Sequence, residues 1–122
     1  MRVLRIGIAS ADHFRARTIG VAQGRMKPKA GEPKIWFNSA QSIGKLIDEN
    51  WPLLQEIRRR PPRSMTELAE RTGRSLSNLS RTLKTLELRG LVSIESGDGL
   101  SKRPVVSYDR IEMVTTPFAD AA

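Results

Sequence analysis

SMTELAERTGRSLSNLSRTLKTLELRGLVSIE, residues 64–95, is the stretch from which the rest of the chain can be read. Ser64 followed by Glu67 has the spacing of a capping box, in which serine and glutamate satisfy free amides at a helix start. The short helix so begun turns Leu68 and Ala69 inward. Gly73 supplies its exit, because the residue just past a helix end often takes a left-handed conformation that glycine adopts without strain. Ser75 then caps a second helix, whose Leu76, Leu79, Leu83 and Leu86 recur at helical spacing as one apolar stripe. At about 100° per residue, the opposite face presents Ser77, Asn78, Arg81 and Thr85, flanked by Thr82 and Lys84.

Working outward, residues 91–95 (LVSIE) and 104–108 (PVVSY) are β-rich runs on either side of residues 96–103 (SGDGLSKR), the pattern of a β-hairpin with a Gly-Asp-Gly tip. A short helix, a glycine turn and a longer helix make a helix-turn-helix, and a basic hairpin beside it is a wing. The second helix has to enter a major groove about 12 Å wide, so it must be slim and polar outside. Arginine can grip guanine O6 and N7, asparagine can do the same with adenine N6 and N7, and serine is adaptable. Ser75, Ser77, Asn78 and Arg81 are therefore the expected base contacts. Arg63, Thr66, Arg74, Thr82, Lys84 and Thr85, with Lys102 and Arg103 of the hairpin, are the expected contacts to the DNA backbone.

The bulk composition agrees with a polyanion as partner. The 122 residues hold 21 Lys and Arg against 13 Asp and Glu, a formal net charge of +8 and a pI of about 10.8. Such a chain attracts nucleic acid. An anionic membrane surface would require a strongly amphipathic basic helix, which the sequence lacks. Cysteine is absent, excluding disulfides and thiolate metal sites, and the single histidine, His13, cannot build a zinc site alone. The apolar run at the N-terminus is too short for a signal peptide, and no segment approaches the ~20 apolar residues of a membrane span, so a cytoplasmic protein without cofactors is expected.

The first 38 residues read as a small β-α-β appendage. Leu4, Ile6 and Ile8 alternate within a strand at residues 2–8, a helix capped by Ser10 or Asp12 runs to about Gln23, and residues 34–37 (KIWF) form a second strand after a Pro-containing connector. This region holds most of the excess charge, since Arg2, Arg5, Arg15, Arg17, Arg25, Lys27, Lys29 and Lys34 face only Asp12 and Glu32. Arg15, Arg17, Trp36 and Phe37 are its candidate partner-binding residues. Trp36, Phe37 and Trp51 sit in apolar runs, which suits packing better than base stacking. Helical spacing returns at Ile43, Leu46 and Ile47. Pro52 predicts a re-capped helix near Asn50, with Leu53, Leu54 and Ile57 inward and an end at Arg60 before two prolines. The cluster of Arg58-Arg59-Arg60 and Arg63 is either a solvated helix end or a phosphate contact. Ile111, Met113 and Val114 alternate as one more strand. The expected architecture is thus α+β: the appendage at 1–38, a winged helix-turn-helix at 39–114, and a frayed tail at 115–122.

Residues 64–95 resemble the winged helix-turn-helix of MarR-type bacterial and archaeal regulators. Leu-Ala-Glu-Arg, Ser-Arg and Leu-Arg-Gly-Leu-Val are the elements that carry the likeness. The resemblance implies that the helix from Ser75 reads the major groove, that the hairpin is the wing, and that the protein is a homodimer on a pseudo-palindromic operator. Residues 14–39 (FRARTIGVAQGRMKPKAGEPKIWFNS) resemble a narrower group of small prokaryotic DNA-binding proteins described as antitoxins, which implies an autorepressor with a toxin partner. The chain departs from MarR-type regulators in lacking long terminal helices, which puts both the usual dimer geometry and a small-molecule pocket in question.

Catalysis has little support. Gly44-Lys45 lacks the upstream glycine and the following Ser or Thr of a phosphate-binding loop, and no catalytic triad assembles around His13. Beside an autorepressing regulator stand three alternatives: an effector-sensing MarR-like repressor, a module that neutralises a protein partner and touches DNA incidentally, and a non-specific architectural DNA binder.

Overall fold

A computed structural model describes residues 1–9, 33, 35–97, 99 and 101–115. Among them the fold is α+β, with three helices and two sheets. The chain divides into two compact units, Met1–Ile47 with Tyr108–Ala122, and Asp48–Ser107. Residues 39–47 and 108–114, which the sequence reading joins to the second domain, thus cluster with the first. No helix among the described residues is long and apolar enough to cross a membrane.

The first unit is built on strands β1 (Val3–Ile8), β2 (Ile35–Phe37) and β5 (Arg110–Thr115), in the order β2-β1-β5, both outer strands running parallel to β1. The two expected strands of the appendage are present, while the helix expected over residues 10–23 lies outside the described residues. β1 is central, so it is covered more evenly than the alternation of Leu4, Ile6 and Ile8 predicts. Ile6 and Gly7 are both buried, and Leu4 and Ile8 half-buried, as befits a strand within a parallel sheet. Gly7 faces Trp36 across the ladder, and a Cβ there would collide with the Trp36 ring. Arg5 faces Glu112 and bonds it at 3.3 Å, and Arg2 and Asp109 exchange two 2.7 Å bonds where β1 and β5 begin. These cross-strand pairs fix the register of strands about a hundred residues apart in sequence.

Burial pushes the hydroxyl of half-buried Tyr108 up to about 12, against about 10 when solvated. A raised pKa means that the folded chain holds this proton more tightly. The resulting stability is complete below pH ~10 and is lost as the pH rises towards ~12. Tyr108 is the sole tyrosine, so phenolate absorbance reports it alone. The native chain should show its inflection well above that of the chain in denaturant, and coincident inflections would disprove the burial.

Helix α1 (Ala40–Arg59) is continuous through Pro52, where the sequence reading breaks it into two. Proline removes one helical hydrogen bond, to the carbonyl of Asp48. Asp48 and Pro52 are both exposed, so water can satisfy that carbonyl. Burial of Ile43, Leu53, Leu54 and Ile57 supports the helix on either side. Trp51, expected to pack, lies at the flank of this stripe and is 47% exposed.

In the second unit, α2 (Met65–Thr72) begins at Ser64, whose Oγ accepts from the Glu67 amide at 3.1 Å. Glu67 reaches back one residue further than a standard capping box, accepting from the Arg63 amide at 3.2 Å. Gly73 takes the left-handed conformation, φ 72°. Ser75 caps α3 (Leu76–Leu88) through the Asn78 amide at 3.2 Å. The helix ends in a Schellman motif: Leu91 N–H donates to Leu86 at 2.8 Å and Gly90 N–H to Glu87 at 3.0 Å. Leu79, Leu83 and Leu86 are fully buried, but Leu76 is 48% exposed. As the first residue of α3, it precedes the part of the stripe that the neighbouring core covers. Strands β3 (Ser93–Ser96) and β4 (Lys102–Val105) pair antiparallel, closed by a 2.8 Å bond from Gly97 N–H to the Ser101 carbonyl.

Candidate nucleic-acid interface

The outer side of α3 follows from the helical period. With Leu79, Leu83 and Leu86 fully buried, Ser75, Ser77, Asn78, Arg81, Lys84 and Thr85 are left exposed, and Thr82 half-buried. The first turn contains no acidic residue, so the partial positive charge of the helix start is not neutralised locally. The Thr85 hydroxyl donates to the Arg81 carbonyl at 3.2 Å, leaving its oxygen lone pairs as acceptors.

Arg74, expected on the DNA backbone, lies along this same face. Its Nε donates to Asn78 Oδ1 and its terminal nitrogen to Thr82 Oγ1, each at 2.9 Å. The sequence offered no signal for this arrangement beyond the spacing of four between 74, 78 and 82, since residue 74 precedes the helix.

Helices α1 and α2 are tied together by a residue that sequence reasoning passed over. Arg71, whose side chain is only 15% exposed, bonds Glu56 on α1 at 3.0 Å, Glu67 on its own helix at 2.9 Å and the Arg60 carbonyl at 2.7 Å. The hydrogen bond that Arg71 donates to the Glu56 carboxylate raises the Arg71 pKa. The Arg63 amide, then Arg71, holds the Glu67 carboxyl below its usual range. Only the Glu67–Arg71 spacing of four hinted at the network. It borders a cleft of about 430 Å³ lined by Glu49, Pro52, Leu53, Glu56, Arg60, Arg71, Thr72 and Arg74.

The hairpin is displaced from its expected position. Lys102 and Arg103, placed by sequence in the loop, belong to β4, because pairing runs on to Ser96↔Lys102. Arg103 faces Glu95 and approaches it at 3.5 Å, which partly neutralises it, whereas Lys102 is exposed. Where the hairpin loop begins, just past β3, Gly97 abuts the carbonyl of Arg63, so this end of the hairpin sits on the residues that lead into α2. The side chains of Arg63 and Thr66 are exposed there. Of the expected partner-binding residues, half-buried Trp36 and Phe37 lie on β2, and Arg15 and Arg17 lie outside the described residues.

The sequence model of one family, described as HVO_A0114, matches residues 45–113, more than half of the chain. No curated protein and no solved structure matches.

Proposed function

The chain belongs to the HVO_A0114 family, and we propose that it is a sequence-specific double-stranded-DNA-binding transcriptional regulator whose second unit acts as a winged helix-turn-helix. The observation that carries this reading is the exposed row of Ser77, Asn78 and Arg81 on α3, backed by fully buried Leu79, Leu83 and Leu86. Side chains able to read base edges stand on a rigid support, and the net charge of +8 supplies long-range attraction to the duplex. Lys102 on the hairpin adds a phosphate contact. A homodimer would set two such helices about 34–36 Å apart on a pseudo-palindromic site. Autorepression with neutralisation of a toxin is a further extension. It rests on the resemblance of residues 14–39 alone, most of which lie outside the described residues.

Selection of binding sites from a randomised duplex pool tests the reading. The protein should enrich one sequence and bind it at least ~10³-fold more tightly than random duplex at physiological salt. Equal affinity for all duplexes would reduce it to an architectural binder. Arg81→Ala should cost about 1–3 kcal/mol at its preferred base and relax selectivity there. Lys102→Ala should weaken all duplexes alike and flatten the salt dependence by about one unit of slope. An Arg81→Ala variant with unchanged affinity and preference would remove α3 as the reading element.

A further inference from the structure

We propose that Arg74 determines which base edges Asn78 can read, by holding the Asn78 carbonyl oxygen and turning its NH2 group to the DNA. This rests on the reading of α3 as the DNA-reading helix. A guanidinium has five N–H donors and no acceptor. Facing Arg74, the Asn78 amide can therefore present only its oxygen, and Oδ1 does receive the Arg74 Nε–H at 2.9 Å. The second bond, from Arg74 to Thr82 Oγ1 at 2.9 Å, anchors the far end of the guanidinium, so Arg74 spans two turns of α3. A charged donor makes the stronger kind of hydrogen bond, and this one is formed before any DNA arrives.

The consequence concerns specificity. An asparagine reads adenine at two points, accepting from N6–H and donating to N7. With one of the two Oδ1 lone pairs taken and the plane of the amide fixed by Arg74, Asn78 is turned from the two-point contact and reads through its NH2, taking base edges that accept: N7 of either purine, guanine O6 or thymine O4. Cytosine, which offers a donor in the major groove, is refused. Arg74 is thus a positioning residue for base reading.

Two measurements test this. In the free protein, the Arg74 Nε–H should exchange slowly by NMR, and Arg74→Ala should shift the Asn78 side-chain NH2 signals. Nε–H exchange as fast as in the unfolded chain overturns the proposal whatever the DNA does. In site selection, Asn78→Ala identifies the operator position that Asn78 reads. There the native chain should accept guanine as well as adenine and exclude cytosine. Arg74→Ala frees the amide for the two-point contact and should raise the preference for adenine over guanine about tenfold, within the range a bidentate contact supplies. Thr82→Val removes only the far anchor and should shift the preference the same way by less, which keeps the test open if Arg74→Ala folds poorly. A uniform loss of affinity with the base preference at that position unchanged overturns the assignment of Arg74 and leaves DNA reading intact. A native chain that enriches no sequence overturns DNA reading instead, even with the Arg74–Asn78 bond intact by NMR.

Discussion

Leu83→Ala is expected to lower the stability of the second unit by about 2–5 kcal/mol, the range for truncating a fully buried leucine. Leu83 is 0% exposed and sits between Leu79 and Leu86, also 0% exposed, on the inner face of α3. A helix of 13 residues is marginal alone in water, so this stripe is what keeps it folded. Small domains are stable by only about 5–15 kcal/mol, and the loss is a large part of that. Urea denaturation followed by circular dichroism measures it, and DNA binding should fall with the folded fraction. Leu76→Ala provides the contrast: the sequence stripe puts Leu76 on a par with Leu83, whereas its 48% exposure predicts a much smaller loss. Leu88→Ala, at 76% exposure, should stay within about 0.5 kcal/mol of the native chain. Equal losses at Leu76 and Leu83 would disprove the described register of α3.

Gly97→Ala is expected to have the next largest effect, through the hairpin. The added Cβ would overlap the Arg63 carbonyl oxygen, a backbone atom that cannot rotate aside as a side chain can. Either the loop end of the hairpin or the start of α2 must shift, at a cost of about 1–3 kcal/mol for overpacking. The same shift disturbs the 2.8 Å bond from Gly97 to Ser101 and the 3.2 Å bond from the Arg63 amide to Glu67. Gly97→Ala should therefore lower the denaturation midpoint and, on the proposed function, weaken DNA binding by displacing Lys102. Gly99→Ser is the matched control, because space around Gly99 is open and its φ of 62° makes any cost one of backbone strain alone. A Gly97→Ala chain with native stability would show that the hairpin does not rest on Arg63.

How much could be read without coordinates depended on the range of the interaction. Ser64, Gly73 and Ser75 stand where caps and turns require them, and the Leu79–Leu83–Leu86 stripe follows the helical period. These signals lie within a few residues of what they control, so the second unit's elements were foreseen almost in full. The errors there were small and physical: Leu76 lies beyond the covered part of the stripe, and the hairpin pairs two residues further towards its tip. Pro52 misled because its local cost is real, yet burial along α1 outweighs one solvent-satisfied carbonyl.

For the candidate interface, the outer face of α3 was visible from the period, but the side chain that lies along it was not. Arg74 precedes the helix, and nothing in its neighbours marks it as a donor to Asn78 and Thr82. Arg71 was hidden for the same reason, since two of its three partners belong to α1 or its end. The sheet β2-β1-β5 shows the limit most clearly. A strand at the chain's end pairs with the first through Arg5–Glu112 and Arg2–Asp109, and strand propensity carries no address for so distant a partner. Local backbone preference and the hydrophobic period were thus written in residues 64–95 themselves. Pairing across the chain, and the direction in which each arginine turns, depended on which surfaces folding brought together.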